Sequence, residues 1–135
     1  MTLLKYQDFI ERSDLRDNPE DVFVFGDNLT GTGYGGQAEQ MRGEPNAVGI
    51  PTKRSPYQYL NDKDFWDLIS IYTTRFKFLH KAIDDGRIVV WPSDGIGTGL
   101  SKLKKKSPRC WALLQLFTED FKESAVAMEK EITDV

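Results

Sequence analysis

Cysteine is almost missing from this chain. Its 135 residues hold one, Cys110, which has no partner for an internal disulfide, so the stapled scaffolds of small secreted proteins are excluded. Histidine is as scarce, with His80 alone. No His/Cys/Asp spacing marks a metal site, and no serine–histidine arrangement marks a nucleophile. Neither a metal nor a cofactor is expected. Long apolar runs are lacking too, since none approaches the ~20 residues that span a bilayer. Met1–Asp8 has neither the charged-then-apolar plan nor the cleavage site of a signal peptide. The cytoplasm is the expected compartment, with no membrane partner. Positive charge is not in excess. The formal net charge is −3, so the overall field does not favour polyanions. No repeat or low-complexity linker divides the sequence, and one domain over residues 1–135 is expected.

What is present is an alternation of short β-favouring runs and helical stretches. Leu3, Leu4, Tyr6, Phe9 and Ile10 suggest a weak first strand and a turn, and Ser13–Glu20 reads as a polar connector. Val22-Phe23-Val24-Phe25 is a buried strand that stops at Gly26-Asp27-Asn28. The loop Leu29–Gly36 follows, then a short helix over Gln37–Arg42, stopped by Gly43 and Pro45. Asn46–Ile50 is a second strand, closed by Pro51, and Thr52–Lys63 reads as irregular. Asp64 caps a helix whose Phe65, Leu68, Ile69, Tyr72, Phe76, Leu79, Ala82 and Ile83 keep helical spacing until Gly86. Arg87–Trp91 is a third strand, ended by Pro92. After a second glycine-rich loop, Ser107 and Pro108 open a long helix carrying Trp111, Leu114, Phe117, Phe121, Ala125 and Met128 on one face. This order predicts an α/β fold with helices packed on a mostly parallel sheet.

In such sheets ligands bind outside the carboxyl ends of the strands. Three loops start there, so their residues converge on one rim. The first loop carries Gly31, Gly33, Gly35 and Gly36 and runs into Gln37 at a helix start. Backbone N–H groups in that setting can approach a phosphate closely. The second, Gly95-Ile96-Gly97-Thr98-Gly99 with Leu100 and Ser101 behind it, has the same geometry after the third strand. Neither loop has the spacing of a Walker loop or a dinucleotide fingerprint. Asn28 suits a ribose hydroxyl, and Asp27 suits either the ligand or the turn. Thr52-Lys53-Arg54 leaves the second strand on the same rim, where Lys53 can pair with phosphate, act as a nucleophile or remain a surface charge. Lys102–Lys106 reads as a solvated turn or an electrostatic rim that steers an anion. His80 reads as a surface or helix-end side chain, and Cys110 as packed. The expected ligand is a phosphorylated nucleotide.

These residues resemble those of macrodomains, which bind ADP-ribose. Asn28, the glycines to Gly36 and Gln37-Ala38 are similar to the first macrodomain loop, and Gly95–Leu100 to the phosphate-gripping second loop. The subgroup of terminal ADP-ribose glycohydrolases is the closest in pattern: there a strand ends in Thr-Lys-Lys-Arg and a later one leads into Gly-Cys-Gly-Leu-Asp. Here the segments read Ile50-Pro51-Thr52-Lys53-Arg54 and Gly97-Thr98-Gly99-Leu100-Ser101, separated by one helix, and the likeness runs from about Val22 to Leu103. The resemblance implies a three-layer α/β/α macrodomain-like fold with a reduced C-terminal strand. It implies ADP-ribose held with adenine toward the first strand and the distal ribose near Lys53. It also implies cleavage of ADP-ribose from modified targets, protein or nucleic acid, by lysine attack at the anomeric carbon. Ser101 stands where the subgroup has its catalytic aspartate, which leaves Asp94 in the same loop as the candidate acid. Asp8 stands near the place of the aspartate that contacts adenine in that family.

Two other readings remain at this level. A non-catalytic reader or sequestering protein for a signalling nucleotide is favoured by Ser101. A Rossmann-like nucleotide phosphoribohydrolase would need a glutamate soon after the second loop, and none lies between Gly99 and Arg109. The oligomeric state is not legible.

Overall fold

The structure, a computed structural model, describes residues 1–33 and 35–134. Among these residues five strands form one mixed sheet in the order β1-β5-β2-β3-β4: β1 Leu4–Gln7, β2 Val22–Asn28, β3 Ala47–Ser55, β4 Gln58–Tyr59 and β5 Val89–Pro92. The first four in that order are parallel, and β4 alone is antiparallel, paired with β3. Among the described residues five α-helices accompany them: α1 Arg12–Asp17, α2 Gly36–Met41, α3 Phe65–Asp84, α4 Leu103–Lys106 and α5 Pro108–Asp134.

The sequence of β2 explains why the sheet is covered on both faces. Successive side chains of a strand point to opposite sides. Val22 and Val24 accordingly enter one core and Phe23 and Phe25 the other. The larger core lies under α3 and α5, where Tyr72, Phe76, Phe117, Phe121 and Trp91 meet mostly edge-on or tilted. The smaller one gathers Ile10, Leu15 of α1, Met41 of α2 and Val90. His80 faces α5, with its ring edge-on to Phe121 and Nε2 3.3 Å from Asp120. Burial pushes the Cys110 thiol above its ordinary range. No helix among the described residues is long and apolar enough to cross a membrane.

Several elements depart from the sequence reading. The polar connector holds α1, a helix that buries Leu15 alone and is closed by a reciprocal capping box between Glu11 and Asp14. One buried residue makes no periodic stripe, so the pattern hid it. Strand β3 does not stop at Pro51 but continues to Ser55, which puts Thr52 and Lys53 in a strand rather than a loop. Proline is tolerated there because β4 pairs only with Lys53 and Ser55, leaving β3 unpaired on that side at residue 51. The Pro51 carbonyl accepts the Tyr72 hydroxyl at 2.5 Å. The segment read as irregular contains β4 and a 3₁₀ turn, Asp62–Asp64. Asp64 precedes α3 as expected, but its carboxylate caps nothing in α3. It accepts from the Asn61 amide at 2.9 Å and from Arg54 Nη2 at 2.8 Å. The lysine run is helical in α4 with its lysines exposed. No strand follows β5 among the described residues.

Candidate functional site

Parallel strands β2, β3 and β5 end on one side of the sheet, and a cleft of about 430 Å³ opens there. The two glycine loops form its walls. The first leaves β2 and feeds α2; the second leaves β5 and ends at α4. Fifteen of the seventeen residues expected at the site line it: Asp27, Asn28, Gly33, Gly35, Gly36, Gln37, Thr52, Lys53 and the whole run Gly95–Ser101. The other two do not. Asp8 lies in the exposed turn after β1, and Asp94 is exposed at the start of the second loop, where its carbonyl accepts Thr98 Oγ1 at 2.7 Å.

Two of the glycines show why glycine is favoured in these loops. Gly33 has φ +103°, and a Cβ there would stand 2.9 Å from Pro56 Cγ. Gly97 has φ +79°, and a Cβ there would press on Leu114, Leu103 and Thr52 at 3.1, 3.3 and 3.4 Å. Each loop therefore packs closely against the body of the protein with a left-handed backbone that favours glycine. The backbone amides of residues 96–101 donate to no acceptor among the described residues, and all six residues line the cleft. A run of unpaired N–H groups on a glycine loop is a concave donor surface suited to anionic oxygens.

Several polar side chains in the lining are already engaged within the protein. Asn28 closes its own loop: Oδ1 accepts the Thr30 amide at 3.0 Å and hydroxyl at 2.6 Å, and Nδ2 donates to the Thr32 carbonyl at 2.8 Å. Gln37 makes a two-way pair with the Ile10 backbone, donating and accepting at 2.7 Å, and so ties α2 to the N-terminal segment. Asp27 pairs with Arg42 and accepts the Asn28 amide at 2.8 Å. Lys53 Nζ donates to the Pro56 carbonyl at 2.7 Å and lies 5.3 Å from the Tyr59 ring centre. Lys106 of α4 lies 4.9 Å from the same ring, but neither it nor Tyr59 lines the cleft.

Ala38 of the first loop also lines the cleft, together with Gly26, Thr32, Arg42 and Pro56, which were not anticipated there. Arg42 matters most among them. Its Nη1 donates to the Gly33 carbonyl at 2.7 Å while Nη2 holds Asp27, which braces the first loop from behind. In the sequence it appears only as the last residue of a short helix, and no local pattern links it to Asp27. No cluster of three or more metal-ligating side chains occurs among the described residues.

Fold and site together define an α/β protein with a strand-end cleft between two glycine loops. The chain belongs to a family of unknown function (DUF7831), whose model matches residues 5–117 and so takes in every residue of the cleft. No curated protein and no solved structure matches the chain.

Proposed function

We propose that the cleft binds ADP-ribose or a closely related phosphorylated nucleotide, in a fold of macrodomain type. One observation carries this reading: two glycine loops from the ends of β2 and β5 line one cleft, and the second presents amides along residues 96–101 that are unpaired among the described residues. Such a surface suits a diphosphate. A volume of about 430 Å³ lies in the range of small-ligand sites. The likeness of both loops to those of macrodomains supports the choice of nucleotide.

Binding without turnover is the form of this function that the side chains favour. Asp27 is the one carboxylate in the lining among the described residues, and Arg42 holds it. Asp94 lies outside the lining and Ser101 supplies no acid, so a lysine-led cleavage would lack its second group. Lys53 is what keeps the hydrolase reading in view, because it lines the cleft. Titration calorimetry with ADP-ribose, and with AMP and NAD as controls, tests the binding. Saturable, one-to-one uptake of ADP-ribose is expected, and no heat with any of the three would refute it. Incubation with ADP-ribosylated protein separates the two forms: bound but uncleaved substrate is expected, whereas release of ADP-ribose that disappears in Lys53→Ala would establish the hydrolase.

A further inference from the structure

The formal net charge of −3 hides an asymmetry. Residues 53–67 and 102–109 hold eight lysines and arginines against three aspartates, while the rest of the chain holds ten against eighteen acidic residues. The fold brings these two stretches together. Ser107 Oγ donates to Asp62 Oδ1 at 2.7 Å and Cys110 Sγ lies 3.5 Å from the Asn61 carbonyl, which ties the 3₁₀ turn before α3 to the junction of α4 and α5. Of the eight cations, Arg54 alone is held in an ion pair among the described residues, by Asp64. The lysines of α4 are all exposed, as is Arg109. Unpaired cations gathered on an otherwise acidic protein make a local field of the sign that attracts polyanions.

Aromatic rings lie among these charges. Lys53 Nζ and Lys106 Nζ stand 5.3 and 4.9 Å from the centre of the Tyr59 ring. Arg109 lies 4.3 Å from the centre of the Phe65 ring, which meets Trp66 edge-on at 5.4 Å. Tyr57, in the turn between β3 and β4, is 95% exposed, and Trp66 is 71% exposed. Neither enters a core, so packing does not account for them.

We propose that this surface, outside the cleft, binds single-stranded nucleic acid, with phosphates on the α4 lysines and Arg109 and unstacked bases on Tyr57, Tyr59 and Trp66. Cations interleaved with exposed rings suit a single strand, because each nucleotide brings one phosphate and one flat base. An acidic peptide would engage the cations and leave the rings without a task. A duplex keeps its bases stacked and would do the same. The proposal stands apart from the nucleotide reading of the cleft. The two surfaces adjoin at Lys53, which lines the cleft while its ammonium faces Tyr59.

The experiment follows the fluorescence anisotropy of labelled twelve-nucleotide single strands, DNA and RNA of mixed sequence, titrated with the full chain at several salt concentrations. The variants are Lys104→Glu with Lys105→Glu, Tyr57→Ala, Trp66→Ala, and a charge-matched control, Lys77→Glu with Lys130→Glu. All six positions are exposed, and the melting temperature of each protein is measured alongside. Saturable binding of DNA or RNA that weakens with salt is expected. The Lys104/Lys105 double variant should bind at least about tenfold more weakly and flatten the salt dependence by about 1.4 in log–log slope, the share of two phosphate contacts. Each aromatic variant should lose about tenfold, the stacking of one base, with the melting temperature unchanged. The control should bind as the wild type does. No binding of either strand at low salt would overturn the proposal, as would an equal loss in the control. Unchanged affinity in both aromatic variants would overturn it too. So would equal or tighter binding of a duplex, of polyglutamate or of phosphatidylserine vesicles, each of which would assign the cations to a different partner. Uptake of ADP-ribose by the Lys104/Lys105 variant, measured separately, reports on the cleft alone.

Discussion

Gly97 and Gly35 line one cleft, yet an added side chain should act on them in opposite ways. At Gly97 the backbone is left-handed and three side chains already crowd the place of a Cβ. Gly97→Ala should therefore lower stability by about 1–2 kcal/mol, the cost of a left-handed L-residue, read as a shift in the urea midpoint. At Gly35 φ is −98° and nothing lies within 4 Å of a Cβ. Gly35→Leu should leave the urea midpoint where it is and fill the cleft with four carbons, abolishing nucleotide uptake. A Gly35→Leu protein that still bound ADP-ribose would move the site elsewhere. The residue scale is also where the sequence was least complete. Glycine density marked the loops correctly because the signal is local. Asn28 and Gln37 line the cleft as expected, and their side chains also hold the turn at Thr30–Thr32 and the backbone of Ile10, which the sequence does not show. Those partners depend on chain directions that composition does not carry. Arg42 escaped notice for the same reason, since it reaches Asp27 across fifteen residues.

Among the elements, the long helices and the buried strands were legible because their apolar spacing is regular over many residues. The short ones were not. Helix α1 buries one leucine, β4 has two residues, and Pro51 masked the continuation of β3. Tertiary pairing holds these pieces in place, and Glu44 gives an example. Its carboxylate accepts from Arg12 Nη1 at 2.8 Å and Arg16 Nε at 2.9 Å, joining α1 to the chain between α2 and β3. The Arg12 hydrogen bond, assisted by Arg16, holds the Glu44 carboxyl below its ordinary value of 4.5, against the opposing effect of desolvation. A carboxyl lowered on folding adds stability that is fully present above its unfolded value and lost as pH falls through its folded value. Wild type should accordingly exceed Glu44→Gln in melting temperature at neutral pH, and the gap should close below pH 4.5. A gap that persists or widens in acid would show that the ion pair is not its source.

At the scale of the whole molecule, the sheet works as a platform. Its parallel strands point their carboxyl ends at one rim, the two cores fix α3 and α5 on one face and α1 and α2 on the other, and the glycine loops meet over the gap. The family match covers this platform and both loops and stops within α5. The central claim is that the rim holds a nucleotide by its phosphates. The most direct test is amide chemical-shift mapping of the isotopically labelled protein during titration with ADP-ribose. The account predicts the largest, saturable shifts along Gly95–Ser101 and around Gly33–Gln37, with the exposed surface of α5 unmoved. Shifts confined to α5, or none at all, would contradict it.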